Sequence, residues 1–132
     1  MKKLLLILVT CALCLSSSCN NDNANTKTET WFLVNISGGI AGINENFEKG
    51  IIAWTFNEEG SALTVENTTG STNGFESGTH SYRILRTNGK KYLIVENNEI
   101  GGMIETENQL TIDQNMQSGG SGADGFILLF EK

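Results

Sequence analysis

The amino-acid sequence predicts an all-β protein, a small antiparallel up-and-down barrel of about eight strands. From Trp31 onward, short segments alternate apolar and polar residues, which is the period of a half-buried strand. Turn-forming residues such as Asn88-Gly89 separate these segments. No segment in this region shows the apolar spacing of an amphipathic helix. A two-sheet β-sandwich is the alternative architecture.

The first predicted strand is Trp31 to Ile36, WFLVNI, in which five of six residues are apolar. The segment Ser37 to Gly50 follows it and contains four glycines. Because glycine favours irregular backbone, we expect a long loop or lid at this point.

A first hairpin is predicted around a turn from Asn57 to Gly60, with Gly60 in the left-handed conformation. This turn places Trp54 opposite Leu63. One face of the hairpin then carries only apolar side chains, which are Ile52, Trp54, Phe56, Leu63 and Val65.

The strongest turn signal is Asn88-Gly89, the preferred pair for a two-residue hairpin turn. It places Thr87 opposite Lys90, and counting outward places Tyr82 opposite Val95. The apolar face of this hairpin consists of Tyr82, Ile84, Leu93 and Val95.

A second tight turn is predicted at Asn97-Asn98, which pairs Val95 with Ile100. Gly101-Gly102 then lies in mid-strand. Because glycine in a strand marks a bulge or a sharp bend, we expect the sheet to curl at this position.

A three-residue turn from Thr106 to Asn108, with Asn108 left-handed, would pair Ile104 with Leu110. The counting then predicts one apolar stripe across four strands, made of Tyr82, Ile84, Leu93, Val95, Ile100, Ile104, Leu110 and Ile112.

The last predicted strand, Gly125 to Lys132, is apolar on both faces and follows a glycine- and serine-rich loop from Gln114 to Asp124. A terminal strand of this kind would invite aggregation if one edge were free. We therefore expect it to pair on both sides, with Trp31 to Ile36 closing the barrel.

The amino terminus has the layout of an export signal. Lys2 and Lys3 precede an apolar run from Leu4 to Leu15, which three serines and Cys19 follow. Because a membrane-spanning helix needs about 20 apolar residues, this shorter run predicts a cleaved signal rather than a permanent anchor.

The sequence Leu15-Ser16-Ser17-Ser18-Cys19 resembles the relaxed lipobox of Bacteroidetes lipoproteins. The resemblance implies lipid on Cys19, as a diacylglycerol thioether with a further acyl group such as palmitate on the amine. Two or more chains anchor a protein stably. The resemblance thus implies a lipid-anchored protein of the cell envelope, at the outer membrane, on its periplasmic or its surface face. A plain secretory signal that leaves a free Cys19 thiol is the alternative.

Three segments follow from these patterns: a signal peptide from residue 1 to 18, a lipidated terminus and flexible polar linker from 19 to 30, and a β domain from 31 to 132. Loss of Lys2 and Lys3 with the signal takes the formal net charge from −6 to −8. A surface of that sign excludes nucleic acid as a plausible partner class. Cys11 and Cys14 leave with the signal, so no disulfide is expected.

The order of motifs from Trp31 to Lys132 is similar to that of the lipocalin-like lipoproteins of Bacteroidetes. The matching motifs are Trp31-Phe32-Leu33-Val34, Trp54-Thr55-Phe56, Leu63-Thr64-Val65, Tyr82 to Ile84, Leu110-Thr111-Ile112 and Asp124-Gly125-Phe126. The resemblance implies an eight-stranded barrel that is either filled or holds one small ligand.

Two positions depart from the lipocalin pattern. Lipocalins carry a glycine two residues before the first tryptophan and an arginine near the last strand that packs over it. Here Glu29 holds the first position, and Glu131-Lys132 stand at the second. The departures favour a filled or shallow barrel over a large ligand cup.

The sequence favours no catalytic function. His80 is the only histidine, and its neighbour Ser81 must point to the opposite face of a strand, so the two cannot form a nucleophile and base pair. The acidic residues near the late loops match no calcium loop, and we expect no metal or cofactor.

Two functions are predicted. The first is a tethered binding module in which Trp54, Phe56 and Tyr82 on the inner wall hold a small apolar molecule. The second is a structural or interaction subunit of the envelope with a filled barrel, which contacts another envelope protein through the loops Ser37 to Gly50 and Gln114 to Asp124. The alternative for Trp54, Phe56 and Tyr82 is that they are simply core residues and contact no ligand.

Overall fold

A computed structural model describes residues 27–70 and 75–132. These residues contain strands and no helix. The strands are β1 (Thr28–Gly38), β2 (Ile43–Asn46), β3 (Ile52–Asn57), β4 (Ala62–Asn67), β5 (Gly78–Thr87), β6 (Lys90–Val95), β7 (Asn98–Glu105), β8 (Gln109–Asp113), β9 (Met116–Gln117), β10 (Gly120–Ser121) and β11 (Phe126–Glu131). In these two ranges, no helix has the length and apolarity needed to cross a bilayer.

The strands form a closed antiparallel barrel. One nine-stranded sheet has the order β11-β8-β7-β6-β5-β4-β3-β1-β2, and β11 also pairs with β1. This last pairing closes a ring of every strand in the sheet except β2, so the ring has eight strands. The predicted up-and-down barrel and its closure by the first and last strands are confirmed. The alternative of a two-sheet sandwich is wrong, because a single sheet closes on itself.

Strand β1 is longer than predicted at both ends. Its first residues, Thr28 to Thr30, pair with β3, so the predicted linker extends too far. Its last residues pair with β2, so the predicted loop from Ser37 to Gly50 is instead a hairpin with a short turn. A bulge at Val34 divides the two halves, and the Val34 carbonyl accepts a hydrogen bond from the Phe47 amide at 3.0 Å.

The hairpin of β3 and β4 has the predicted face but a different register. Trp54 pairs with Val65, two positions from the predicted partner Leu63, because the turn runs from Glu58 to Ser61. Ser61, at φ 46°, is the left-handed residue in place of Gly60. A shift of two residues keeps every side chain on its face, so the predicted apolar face is buried.

The hairpin of β5 and β6 is confirmed in every pair, from Thr87 with Lys90 to Tyr82 with Val95. Asn88 and Gly89 have φ values of 51° and 72°. Positive φ at both turn residues defines the type I′ turn that the sequence predicts.

The turn between β6 and β7 is one position earlier than predicted. Glu96 and Asn97 are its left-handed residues, and Val95 pairs with Asn98. The ladder then shifts, so that Leu93 pairs with Gly101 and Ile100 is the extra residue. A bulge is therefore present, as Gly101-Gly102 indicated, but its extra residue is Ile100 and not one of the two glycines.

This extra residue reverses the predicted faces of the rest of β7. Met103 points inward opposite Ile112, while Ile104 points outward with 53% of its surface exposed. The place of Ile104 in the apolar stripe and its pairing with Leu110 are thus wrong. Asn108 is not left-handed, since a four-residue turn from Thr106 to Gln109 replaces the predicted turn.

The centre of the barrel is filled by its own side chains. The fully buried residues come from six of the ring strands and include two tryptophans: Trp31, Leu33, Ile36, Ile52, Trp54, Leu63, Val65, Leu93, Leu110, Ile112, Leu128 and Phe130. Phe75, from the connection before β5, packs against this core at the end where β1 finishes. We call the other end, where β1 begins, the mouth.

The predicted loop from Gln114 to Asp124 contains the small hairpin of β9 and β10, which lies against the outer wall. The Met116 side chain covers Gly102, where a Cβ would lie only 2.6 Å from the Met116 Cβ. Glu99 fixes the hairpin through two hydrogen bonds of 2.5 Å from the amide and hydroxyl of Ser118.

Candidate functional site

A recess of about 90 Å³ opens at the mouth of the barrel. We call it the mouth recess. Its floor is apolar and aromatic, and its rim carries charged groups from β1, β5, β6 and β7 and from residues next to β1 and β3. The lining residues are Lys27, Glu29, Trp31, Phe56, Glu58, Tyr82, Ile84, Arg86, Lys91, Met103 and Glu105.

Phe56 and Tyr82, two of the three residues predicted to line a ligand site, meet in this recess. Their ring centroids are 5.1 Å apart in an edge-to-face arrangement, which is a favourable geometry for two aromatic rings. Partial burial is the main cause that raises the pKa of the Tyr82 hydroxyl, and the negative charge of Glu58 raises it further. The hydroxyl therefore stays protonated at neutral pH.

Trp54, the third predicted residue, lies deeper and does not line the recess. Its side chain is 0% exposed, and its ring centroid is 4.9 Å from that of Phe130 and 5.1 Å from that of Phe75. Trp54 is therefore a core residue, and the space predicted beside it is occupied by other aromatic rings.

Each carboxylate of the rim has a lysine partner. The Nζ atom of Lys27 is 3.4 Å from Glu58 and 3.8 Å from Glu29, and that of Lys91 is 3.2 Å from Glu105. The hydrogen bond with Glu58 is the main cause that raises the pKa of Lys27. Exposed pairs such as these contribute about 0 to 1 kcal/mol each, so they position the rim more than they stabilise the fold.

Arg86 differs from the other rim charges. It lies on β5 directly opposite Lys91, and no carboxylate of residues 27–70 and 75–132 forms an ion pair with it. The mouth recess therefore combines an aromatic floor with one guanidinium group that these residues do not neutralise.

The two departures from the lipocalin pattern meet at the same end of the barrel. The Lys132 Nζ atom lies 4.4 Å from the centroid of the Trp31 ring and 3.3 Å from Glu29 Oε1. Lysine thus covers the first tryptophan through a cation–π contact, and Glu29 holds the lysine in place. The pair closes one side of the barrel over a buried Trp31.

His80 lies away from the recess and contacts Glu96, with Nδ1 2.9 Å from Oε1. Its Nε2 atom is buried and has no hydrogen-bond partner in the described part of the chain. Ser81, its neighbour, is exposed. No three His, Cys, Asp or Glu side chains gather as a metal site would require within residues 27–70 and 75–132.

Cys19, the predicted lipid attachment site, lies outside the described residues, as do the predicted signal and most of the linker.

The charged rim was missed by the sequence reasoning, although its signal was available. The Asn88-Gly89 turn fixes the register of β5 and β6, and that register puts Arg86 and Lys91 on the same face as Tyr82. Extending the apolar face by one more pair would have located the cationic side of the mouth.

Comparisons with known proteins identify no relative: no family model, no curated protein and no solved structure matches this chain.

Proposed function

We propose that this chain is a lipid-anchored lipoprotein of the cell envelope, attached to the outer membrane through Cys19, and that its barrel is a non-catalytic binding module. The lipobox-like sequence before Cys19 supports the anchor. Lys27, on the rim of the mouth recess, is the eighth residue after Cys19. The linker expected from the sequence would have a typical reach of roughly 16 Å over that length, which would keep the mouth close to the bilayer.

The mouth recess is the main structural support for ligand binding. Within the described residues, it joins two predicted ligand contacts, Phe56 and Tyr82, on an apolar floor that is open to solvent. Ligand sites in proteins combine an apolar surface with a few polar groups in this way. The ligand is small, because the recess has a volume of only about 90 Å³, and it is mainly apolar, because the floor of the recess is apolar.

Native mass spectrometry of the mature protein, released gently from the membranes of its own host, tests this proposal. We expect a retained small molecule. A Met103→Phe variant fills the recess and should lose that molecule, whereas Ile104→Phe, on the outward face of the same strand, should keep it. A molecule retained equally by both variants would contradict binding in the recess.

The second candidate is a structural or interaction subunit of the envelope with a filled barrel and no ligand. The buried Trp54 favours it, because the barrel centre is occupied by side chains. Ile40, at the tip of the β1–β2 hairpin, is 89% exposed and could contact an envelope protein. An empty barrel that co-purifies with such a partner, and loses it in an Ile40→Ser variant, would support this candidate over the first.

A further inference from the structure

We propose that the mouth recess selects a small organic anion, with its anionic group on Arg86 and a compact apolar body on the aromatic floor. This inference rests on the proposed binding function and adds the charge of the ligand. Neither the sequence patterns nor the fold class indicates a charge preference, so the proposal depends on the pairing of the rim residues.

The carboxylates of the rim are already paired with lysines. Glu58 contacts Lys27, Glu105 contacts Lys91, and Glu29 contacts both Lys27 and Lys132. A cationic ligand would have to compete with a lysine for each of these carboxylates. The recess therefore offers little to a cation.

Arg86 lies directly opposite another cation, Lys91. Residues directly opposite each other in an antiparallel pair have Cβ atoms roughly 5 Å apart, and like charges in such a pair repel. Arg86 faces Lys91 in this way, and Glu105 neutralises only the lysine. An anion at Arg86 would remove the repulsion and form a charge-assisted, bidentate hydrogen-bond pair with the guanidinium.

The floor beside the Arg86 guanidinium is apolar. Tyr82 and Ile84 precede Arg86 at alternate positions of β5 and therefore share its face, and Met103 lies across the recess. The recess, with a volume of about 90 Å³, fits only a short apolar chain.

Methyl NMR of the mature lipidated chain in detergent micelles tests the proposal, with sodium butyrate as the probe and butyramide as its neutral isostere. The sequence contains three methionines, and Met1 leaves with the predicted signal. Met103 lines the recess, whereas Met116 covers Gly102 on the outer wall and serves as an internal control.

We expect butyrate to shift the Met103 methyl signal saturably, with a dissociation constant on the order of millimolar, and to leave Met116 unchanged. An Arg86→Gln variant should weaken this binding about tenfold, because it removes one charge-assisted pair. The matched Arg83→Gln variant, on the other face of β5, should bind as the wild type does. An unchanged Met116 signal in each variant verifies that the fold is intact.

Two results would overturn the inference and can be told apart. If butyramide shifts Met103 as strongly as butyrate does, or if Arg86→Gln binds butyrate like the wild type, the recess binds small molecules without selecting an anion. If neither probe shifts Met103, the proposed binding function of the recess fails together with the inference.

Discussion

Replacement of Trp54 by alanine separates a core role from a ligand role for this residue. The indole is fully buried, and three aromatic rings have centroids within 6.2 Å of it. Truncation of a buried aromatic residue costs about 3 to 5 kcal/mol, and the upper half of this range applies where the surroundings cannot collapse. A ring of hydrogen-bonded strands resists collapse, so we expect about 4 to 5 kcal/mol.

The loss is large compared with the total stability of a domain of this size, which is about 5 to 15 kcal/mol. At roughly 4 to 8 °C per kcal/mol, the melting temperature should fall by about 16 to 40 °C. Urea unfolding of the wild type and of Trp54→Ala gives the free energy directly. A Trp54→Phe variant, which leaves a smaller cavity, should remain folded if the alanine variant does not and should show a smaller loss of the same sign.

A ligand-rescue measurement completes this test. An apolar cavity left by a large-to-small substitution stays dry and can bind benzene, as in the known engineered cavity of about 150 Å³. Benzene should therefore raise the melting temperature of Trp54→Ala and leave that of the wild type unchanged. A stability loss under about 1 kcal/mol, combined with loss of a naturally retained small molecule, would refute the core assignment and restore Trp54 as a ligand contact.

Three further predictions follow from the register, the rim and the barrel closure. In urea unfolding, Ile104→Ala should change the free energy of unfolding by less than about 0.5 kcal/mol, and Leu110→Ala should lower it by about 2 to 5 kcal/mol. The register expected from the sequence would bury both residues and predicts a large loss of stability for both variants. Burial raises the pKa of Tyr82 in the folded state, so the unfolded chain releases the hydroxyl proton at a lower pH than the folded chain does. The free energy of unfolding should therefore decrease as the pH rises above about 10. In urea unfolding at a series of pH values, Tyr82→Phe should show a smaller decrease than the wild type. Lys132→Met should cost about 1 kcal/mol and increase the quenching of Trp31 fluorescence by iodide, and equal quenching would exclude the cation–π cover.

The fold could be predicted from this sequence because two-residue alternation survives many errors of register. The β3–β4 hairpin is the clearest case: the predicted turn was one position early, which changed the register by two residues, yet Trp54 and Phe56 remained on the correct face. The Asn88-Gly89 turn allowed only one register for β5 and β6, because a two-residue turn of this type requires positive φ at both residues. Each residue pair counted from this turn is correct.

A one-residue error has the opposite effect. The extra residue at Ile100 moved Ile104 from the core to the surface and brought Met103 inward. Gly101-Gly102 indicated that a bulge was present. The pair did not indicate which residue is the extra one, because the position of the bulge depends on how closely β7 and β8 approach each other. A Cβ at Gly101 would lie 2.3 Å from the Asp113 carbonyl oxygen. Such a contact is tertiary and has no local signal.

The candidate site was predictable only in part. All three predicted residues lie on the inner wall, as strand alternation predicts. Trp54 lies deeper than the recess, because alternation gives the face of a residue and not its depth along the barrel axis. The pairing of Glu29 with Lys132 joins the two ends of the described chain. Both residues stood out as departures from the lipocalin pattern, but their contact depends on the closure of β1 on β11.

The intact mass of the mature chain tests the lipid anchor on Cys19 most directly. The chain is taken from the membrane fraction of its own host, and its amino terminus is identified by fragmentation. Lipid attachment at Cys19 predicts a chain that lacks residues 1–18 and carries a diacylglycerol thioether on its first residue. A mature chain found in the medium, or one whose first cysteine is an unmodified thiol, would contradict the lipid anchor and with it the proposed position of the mouth near a membrane.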